Sequence, residues 1–387
     1  MKKLIAGLFS LSICITTYAS KPIIIGLDAD MTAVAKEGGI AIQRGVEIAI
    51  AEINEQGGVL NRELKLVTKN HRGNPARGIS NLQKLSKLED LVAVVGGVHT
   101  PVALKELPII HENKLIYLDP WAAGTPIVDN GFQPNYVFRV SVRDAEAAKV
   151  LIPYAKSRGV TKVALLLERT GWGRSNEKSL TVAANLHGVE ISDIVWFNWG
   201  QKSFNEELTS LQASGSQAII LVANAPEGAE IAKAMLTQKS KMPIFSHWGI
   251  AGGNFVDRVG TSQLQQLDIS VLQTYSFLTP HNSDLNTAVL RRYQSLFGNS
   301  YAAKNIPGAV GTAHAYDLVH LLAKAINKAG NTHRPDIRNA LESISQHSGL
   351  VKNYQPPFSP KQHDALLSKD YIMTSFDTNG HLVPILE

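Results

Sequence analysis

The sequence predicts an α/β protein of two doubly wound parallel-sheet lobes, and three observations predict it. Short β-branched runs alternate with helix-length amphipathic stretches over most of the chain. The alternation completes one set and then restarts. One run, Leu91 to Val95, is wholly apolar until Gly96 and Gly97 stop it, as a strand covered on both faces should be. Strands alternating with helices of this length form right-handed βαβ units with helices on both sheet faces.

In the first set the strands are Pro22 to Leu27, Leu64 to Thr68, Leu91 to Val95 and Leu115 to Leu118. The helices between them are Gly45 to Asn54, Ala76 to Leu88 and Pro101 to Asn113. Val46, Ala49, Ile50 and Ile53 share one helical face, a spacing that a strand cannot give. The second set has strands Lys162 to Leu167, Ile191 to Trp196, Ala218 to Val222 and Met242 to Phe245. Its helices are Ala145 to Ser157, Asn176 to Leu186, Phe204 to Ala213 and Pro226 to Gln238. The rhythm then breaks. Leu285 to Phe297, Thr312 to Gly330 and Pro335 to Ile344 read as helices, Tyr354 to Pro360 as a proline-rich connector and Tyr371 to Phe376 as a late strand. A helical return after two complete sets implies a multi-crossover hinge. The expected division is 1–19 as an export segment, 20–140 and 276–350 in lobe one, and 141–275 and 351–387 in lobe two.

The first residues carry that export pattern. Lys2 and Lys3 precede an apolar run from Leu4 to Ile15, and Thr17, Tyr18 and Ala19 lead to a cleavage point after Ala19. Bulky Ile13 before Cys14 argues against a lipid anchor. Cleavage removes Cys14, the chain's one cysteine, leaving no disulfide, thiolate metal site or thiol nucleophile. Lys2 and Lys3 supply two of the formal +5 charges, so the exported chain carries +3. Its basic residues are scattered, with no arginine run among aromatics, and nucleic acid is not an expected partner.

In open α/β sheets ligands bind beyond the carboxyl ends of the strands. The residues there are Asp28 to Thr32, His71, Val98 to Pro101 (with His99 and Thr100), Asp119 to Thr125, Thr170 to Arg174, Asn224 to Glu227 and Ser246 to Gly253. Trp121, Trp172 and Trp248, three of the five tryptophans, fall in this set, and Trp196 and Trp199 flank another strand end. Each such tryptophan either packs on its own lobe or lines a shared pocket. If Trp172 is a pocket wall, Trp172→Ala weakens binding at little cost in stability. Asp119 offers a pocket anion or, equally, a turn former before Pro120.

The chain resembles the periplasmic type I solute-binding proteins of branched-chain amino acid ABC transporters, the extracellular ligand-binding receptor family. The resemblance rests on "RGVEIAIAEINEQGGVLNRELKLV" (Arg44 to Val67), "LVAVVGGVHTPVALKELPII" (Leu91 to Ile110), "LIYLDPWAAGTPIV" (Leu115 to Val128), "TGWGRSN" (Thr170 to Asn176) and "AHAYDLVHLLAKAINKAG" (Ala313 to Gly330). It implies the type I fold, a periplasmic location and no cofactor. Thr100 matches the hydroxyl that meets a ligand carboxylate at a helix N-terminus. Trp121 falls where backbone contacts are made, and Trp172 matches an aromatic that covers the ligand from the second lobe. Two positions depart. A carboxylate-holding threonine is replaced at Ala123, with Thr125 two residues on, and the acid that grips an α-ammonium is replaced at about Trp248. An ordinary α-amino acid ligand is thereby in doubt. A flat aromatic acid suits the tryptophans with its carboxylate at Thr100; a quaternary amine suits them through cation–π attraction, with Asp119 or Glu227 as counter-charge.

Enzyme motifs are missing: no P-loop, no G-x-G-x-x-G after the first strand, no G-x-S-x-G and no H-E-x-x-H. His71, His99 and His247 at strand ends are the best zinc candidates, although single hydrogen-bonding histidines account for them as well. Asp28 and Asp30 lack a nucleophile beside them. The expected protein is a monomeric, non-enzymatic receptor. Its partners are a small molecule and either an ABC permease or a membrane sensor kinase.

Overall fold

The computed structural model describes residues 21–385; the expected export segment, with Cys14, lies outside the described residues. The chain opens with β1 (Ile23–Ala29), α1 (Lys36–Glu55), β2 (Leu64–Asn70), α2 (Pro75–Leu85), β3 (Leu91–Val95), α3 (Thr100–Glu112), β4 (Ile116–Asp119), the short α4 (Thr125–Val128) and β5 (Val137–Arg139). The five strands form one parallel sheet in the order β2-β1-β3-β4-β5. Every residue of β3 is buried, as its apolar run requires.

The second lobe follows: α5 (Asp144–Ser157), β6 (Lys162–Glu168), α6 (Gly171–His187), β7 (Glu190–Phe197), α7 (Asn205–Ala213), β8 (Ala218–Val222), α8 (Ala225–Thr237), β9 (Ile244–Ser246), the short α9 (Phe255–Val259) and α10 (Thr261–Leu264), and β10 (Ile269–Gln273). Its parallel strands run β10-β9-β8-β6-β7. The chain then returns as α11 (Ser283–Phe297), α12 (Ala309–Ala329) and α13 (Arg334–Glu342), a small ribbon of β11 (His347–Ser348) and β12 (Asn353–Tyr354), and finally β13 (Ile372–Phe376) and β14 (Leu382–Pro384). The last two strands extend the second sheet, β13 antiparallel to β10 and β14 antiparallel to β13.

Helix α12 packs along α1 of the first lobe. A Cβ on Gly45 would stand 2.2 Å from the Thr312 carbonyl oxygen, so glycine sets how near the two helices come. Thr312 Oγ1 donates to the Ala41 carbonyl at 3.1 Å and Tyr316 donates to Glu52 at 2.7 Å. Asp317, in the "AYD" segment, is buried and accepts from Leu350 N, Val351 N and the Tyr354 hydroxyl. That motif therefore ties the return helix to the next crossover. Burial raises the Asp317 carboxyl to about 6.

The chain crosses between lobes after β5, after β10 and between α13 and β13. The first and third crossings pair with each other: Arg139 N donates to His363 O and Ala365 N to Arg139 O. The fully buried Arg139 side chain donates to Asp364 at 2.6 Å and to the carbonyls of Ala122 and Gly124 at 3.0 and 2.9 Å. At the second crossing, Thr274 meets His314 Nε2 at 2.8 Å, while His314 Nδ1 donates to the Pro120 carbonyl. The hinge is thus hydrogen-bonded to the loop after β4.

Two helices begin five or more residues before their sequence patterns suggest. The pattern starts at Gly45, yet α1 starts at Lys36 and includes Gly38 and Gly39. A Cβ at Gly39 would sit 2.0 Å from the Asp30 carbonyl oxygen, so the glycine answers a close approach and not a break in the helix. The pattern starts at Asn176, yet α6 begins at Gly171, capped by the Thr170 hydroxyl accepting from Trp172 N at 3.2 Å. Trp172 therefore stands on a first helical turn, not on a loop.

Candidate functional site

Strand-end residues of both lobes meet around one cavity, lined by Val98, His99, Thr100, Pro101, Trp121, Ala123, Glu168, Trp172, Asn224, Trp248 and Gly249. Its volume is about 20 Å³, the space of one or two water molecules. The lobes touch directly around it. The Trp121 and Trp248 rings lie 5.2 Å apart across the cleft, and His99 of the first lobe meets Trp199 of the second at 5.4 Å. Thr125 N donates to Ser175 Oγ at 3.0 Å, closing one side.

From the first lobe, α3 begins at the cavity. His99 precedes its first turn, and the Thr100 hydroxyl accepts from Gly124 N at 3.1 Å, fixing the loop that carries Trp121 and Ala123. His99 Nε2 lies 3.0 Å from Asp30 Oδ2, and Asp30 also accepts from Ala33 N and Ala35 N. These partners hold the Asp30 carboxyl down at about 2 against the opposing effect of burial. Next to His99, His71 is buried, and loss of hydration pushes it down to about 3. It is a neutral imidazole that accepts from Gly73 N.

From the second lobe, Trp172 donates its indole N–H to Asp144 Oδ1 at 3.1 Å. The same carboxylate oxygen lies 3.1 Å from His247 Nε2, and His247 Nδ1 accepts from Trp248 N. Trp172 is 6% exposed and packs edge-on against His247. It is both a cavity wall and a packed, hydrogen-bonded strut. A residue so held is expected to cost stability as well as affinity when cut to alanine, contrary to the small stability cost expected of a bare pocket wall.

Of the eight residues singled out from the sequence, seven line the cavity: His99, Thr100, Trp121, Ala123, Trp172, Asn224 and Trp248. The eighth, Asp119, does not. Its Oδ1 accepts from Trp121 N at 3.0 Å and its Oδ2 lies 3.9 Å from Arg139, so it supports the loop from behind, in the turn-forming role. Burial raises its carboxyl to about 7 although Arg139 pulls the other way. Glu227 is not a lining residue either; its Oε1 accepts from Gly200 N at 2.7 Å. His71, His99 and His247 do not converge, since His247 belongs to the Asp144 pair. No cluster of three or more potential metal ligands occurs among the described residues. Asp28 and Asp30 belong to separate networks: Asp28 accepts from Asn81 at 2.8 Å and shares a buried acid pair with Glu106.

One lining residue was missed. Glu168, the last residue of β6, is 1% exposed at the cavity wall. Its Oε1 accepts from the Thr170 hydroxyl at 2.6 Å, and its Oε2 from Trp199 Nε1 and Asn224 Nδ2, both at 2.8 Å. Burial raises it to about 7, with those three donors opposing. Its place at the carboxyl end of a strand is the signal the sequence carries for it, set at the close of the apolar run of β6.

Two lobes that meet over strand-end residues, joined by three crossings, define a hinged receptor for a small molecule. The chain belongs to the periplasmic binding protein family, whose sequence profile matches residues 22–380. It is a type I periplasmic binding protein of the branched-chain amino acid transporter kind, a class of substrate-binding proteins that serve ABC transporters. A Leu/Ile/Val-binding protein homologue of Brucella melitensis is 25% identical over 333 residues, covering 86% of each chain. The branched-chain amino acid transporter substrate-binding protein of Streptococcus pneumoniae, in complex with isoleucine, superposes with TM-score 0.79 at 20% identity. That match covers 94% of this chain and 100% of the other. A solute-binding protein of R. palustris in complex with 4-hydroxybenzoate superposes with TM-score 0.77 at 18% identity, over 95% and 96% of the two chains. No helix among the described residues is long and apolar enough to cross a membrane.

Proposed function

We propose that this protein captures a small molecule between its lobes in the periplasm and hands it to the permease of an ABC importer, hinge closure being what the permease reads. The observation that carries this is the shared cavity: residues from β3, β4, β6, β8 and β9 ends, on both lobes, face one another over it. A ligand touching both halves stabilises the closed arrangement by the difference between its closed and open affinities. In the described arrangement the cavity is smaller than any such solute, so entry requires Trp121 and Trp248 to part. The solute is proposed to be one whose body packs against tryptophan, an aromatic acid or a quaternary amine, and not a branched-chain amino acid. Ala123 and Trp248 supply neither the hydroxyl nor the carboxylate that an α-amino acid head group needs. The R. palustris protein shows that the fold holds an aromatic acid.

The test is a thermal-shift screen of protein unfolded and refolded to remove carried-over solute. The panel holds amino acids, aromatic carboxylates and quaternary amines. A true ligand at a hundred times its Kd adds about 2.7 kcal/mol and raises Tm by several degrees. A hit confined to leucine, isoleucine and valine overturns the ligand class. Silence across the panel removes the support for solute capture.

A further inference from the structure

Resting on the capture reading, we infer that the solute carries an alkylated ammonium, bound among Trp121, Trp172 and Trp248 with Glu168 of the second lobe as its counter-charge. The sign of the charge comes first. No lysine or arginine lines the cavity. The buried Arg139 behind it is committed to Asp364 and to two loop carbonyls. His99 is committed to the Asp30 carboxylate. Glu168, by contrast, stands at the wall with only neutral donors around it: a threonine hydroxyl, an indole N–H and a carboxamide. The indole and carboxamide N–H groups only donate, so Glu168 Oε2 is an acceptor, as it is in the ionised acid and as the carbonyl oxygen of the neutral one. Behind it, Glu227 adds a second buried acid whose Oε2 has no partner. An anion enclosed here would face a carboxylate without a compensating cation, whereas a cation supplies what the wall lacks.

The kind of cation follows from the lone pairs. A primary ammonium has three N–H donors to place. Glu168 Oε2 already accepts two hydrogen bonds and Oε1 one, so the carboxylate has little left to accept with. An alkylated ammonium asks for charge and for aromatic faces instead of acceptors. Indole is the strongest of the aromatic partners for it. Three indoles line this cavity, and the Trp121–Trp248 pair, one ring from each lobe, separates as the hinge opens and offers its faces. Besides Glu168, the ionisable groups close to the site are Glu227 on α8, the Asp144–His247 pair that holds Trp172, and the Asp30–His99 pair across the cleft.

The experiment is isothermal titration of refolded protein at pH 7 with choline, glycine betaine, 4-hydroxybenzoate and leucine, in two buffers of different ionisation heat. The inference expects a quaternary amine to bind with release of up to about half a proton, because the cation favours ionised Glu168, which titrates near pH 7. Glu168→Gln should weaken that binding roughly 30-fold or more and abolish the proton release. If Glu168→Gln misfolds, the wild-type proton balance still decides, since an anionic solute drives proton uptake at the same group. Binding of 4-hydroxybenzoate or leucine in preference to the amines overturns the inference and leaves solute capture standing. Binding of an amine without proton release overturns the role of Glu168. No binding by any of the four, together with a silent thermal-shift panel, overturns both.

Discussion

Replacing Arg139 with methionine tests whether the hinge and the ligand loop are one mechanical unit. Arg139 is fully buried, 2.6 Å from Asp364 and 3.9 Å from Asp119, and donates to the carbonyls of Ala122 and Gly124. Methionine keeps most of the volume and removes the charge. Asp119 Oδ2, which has no hydrogen-bond partner among the described residues, then loses the cation beside it. Asp364 keeps one contact, with Arg143 at 3.1 Å, which softens the loss on that side. Breaking one side of a buried pair costs about 3–5 kcal/mol, and the surviving Arg143 contact places the expected cost near 4 kcal/mol. Urea unfolding at pH 8, monitored by far-ultraviolet circular dichroism, measures it. The penalty should shrink at pH 5, because Asp119, already raised to about 7, rises further without Arg139 and takes up a proton. Adding Asp364→Asn should recover part of the loss, with a coupling energy of about 1 kcal/mol or more. A cost below about 1 kcal/mol, equal at both pH values, would refute the reasoning.

Gly45→Ala should destabilise by about 2–3 kcal/mol in the same urea assay, because a Cβ there meets the Thr312 carbonyl at 2.2 Å and α1 and α12 must move apart. Trp172→Ala should lose about 3–5 kcal/mol of stability as well as affinity, whereas Trp172→Phe, which forfeits chiefly the N–H bond to Asp144, should lose about 1–2 kcal/mol. His314 titrates at about 4 when folded, against 6.5 when free, because burial disfavours its charge. Its contribution is therefore intact above pH 6.5 and lost as pH falls toward 4, by up to about 3 kcal/mol. Buried acids such as Asp119 and Asp317 shift stability the opposite way. The quantity to follow is therefore the difference between wild type and His314→Gln from pH 7.5 to 4.5, which should narrow on acidification.

The strands were legible wherever apolar runs were bounded by glycine or polar turns: Leu91 to Val95 and Ala218 to Val222 begin and end where their composition says. The short strands β5 and β14, three residues each, carry too little pattern to stand out, and β10 follows two short helices that blur the alternation. Helix starts were obscured by glycines whose purpose is tertiary. Gly39 in α1 serves a neighbour, the Asp30 carbonyl, that no local pattern reveals. In the site, the rule that strand ends face the cleft located His99, Thr100, Trp121, Ala123, Trp172, Asn224 and Trp248. It did not separate residues pointing into the cavity from those supporting it. Asp119 and Glu168 each close a strand, β4 and β6. The first turns back to Arg139 and the second stays at the wall, a difference decided by which cation or donors each finds after folding.

The Trp121–Trp248 contact also makes the molecule its own optical instrument. Indoles 5.2 Å apart and tilted by 34° couple their near-ultraviolet transitions, and one ring rides on each lobe. Any motion that parts the lobes changes that coupling, and with it the near-ultraviolet circular dichroism and the emission of the pair. Opening and closing are thereby written into the native spectrum, where rapid mixing with a solute can time them on unlabelled protein.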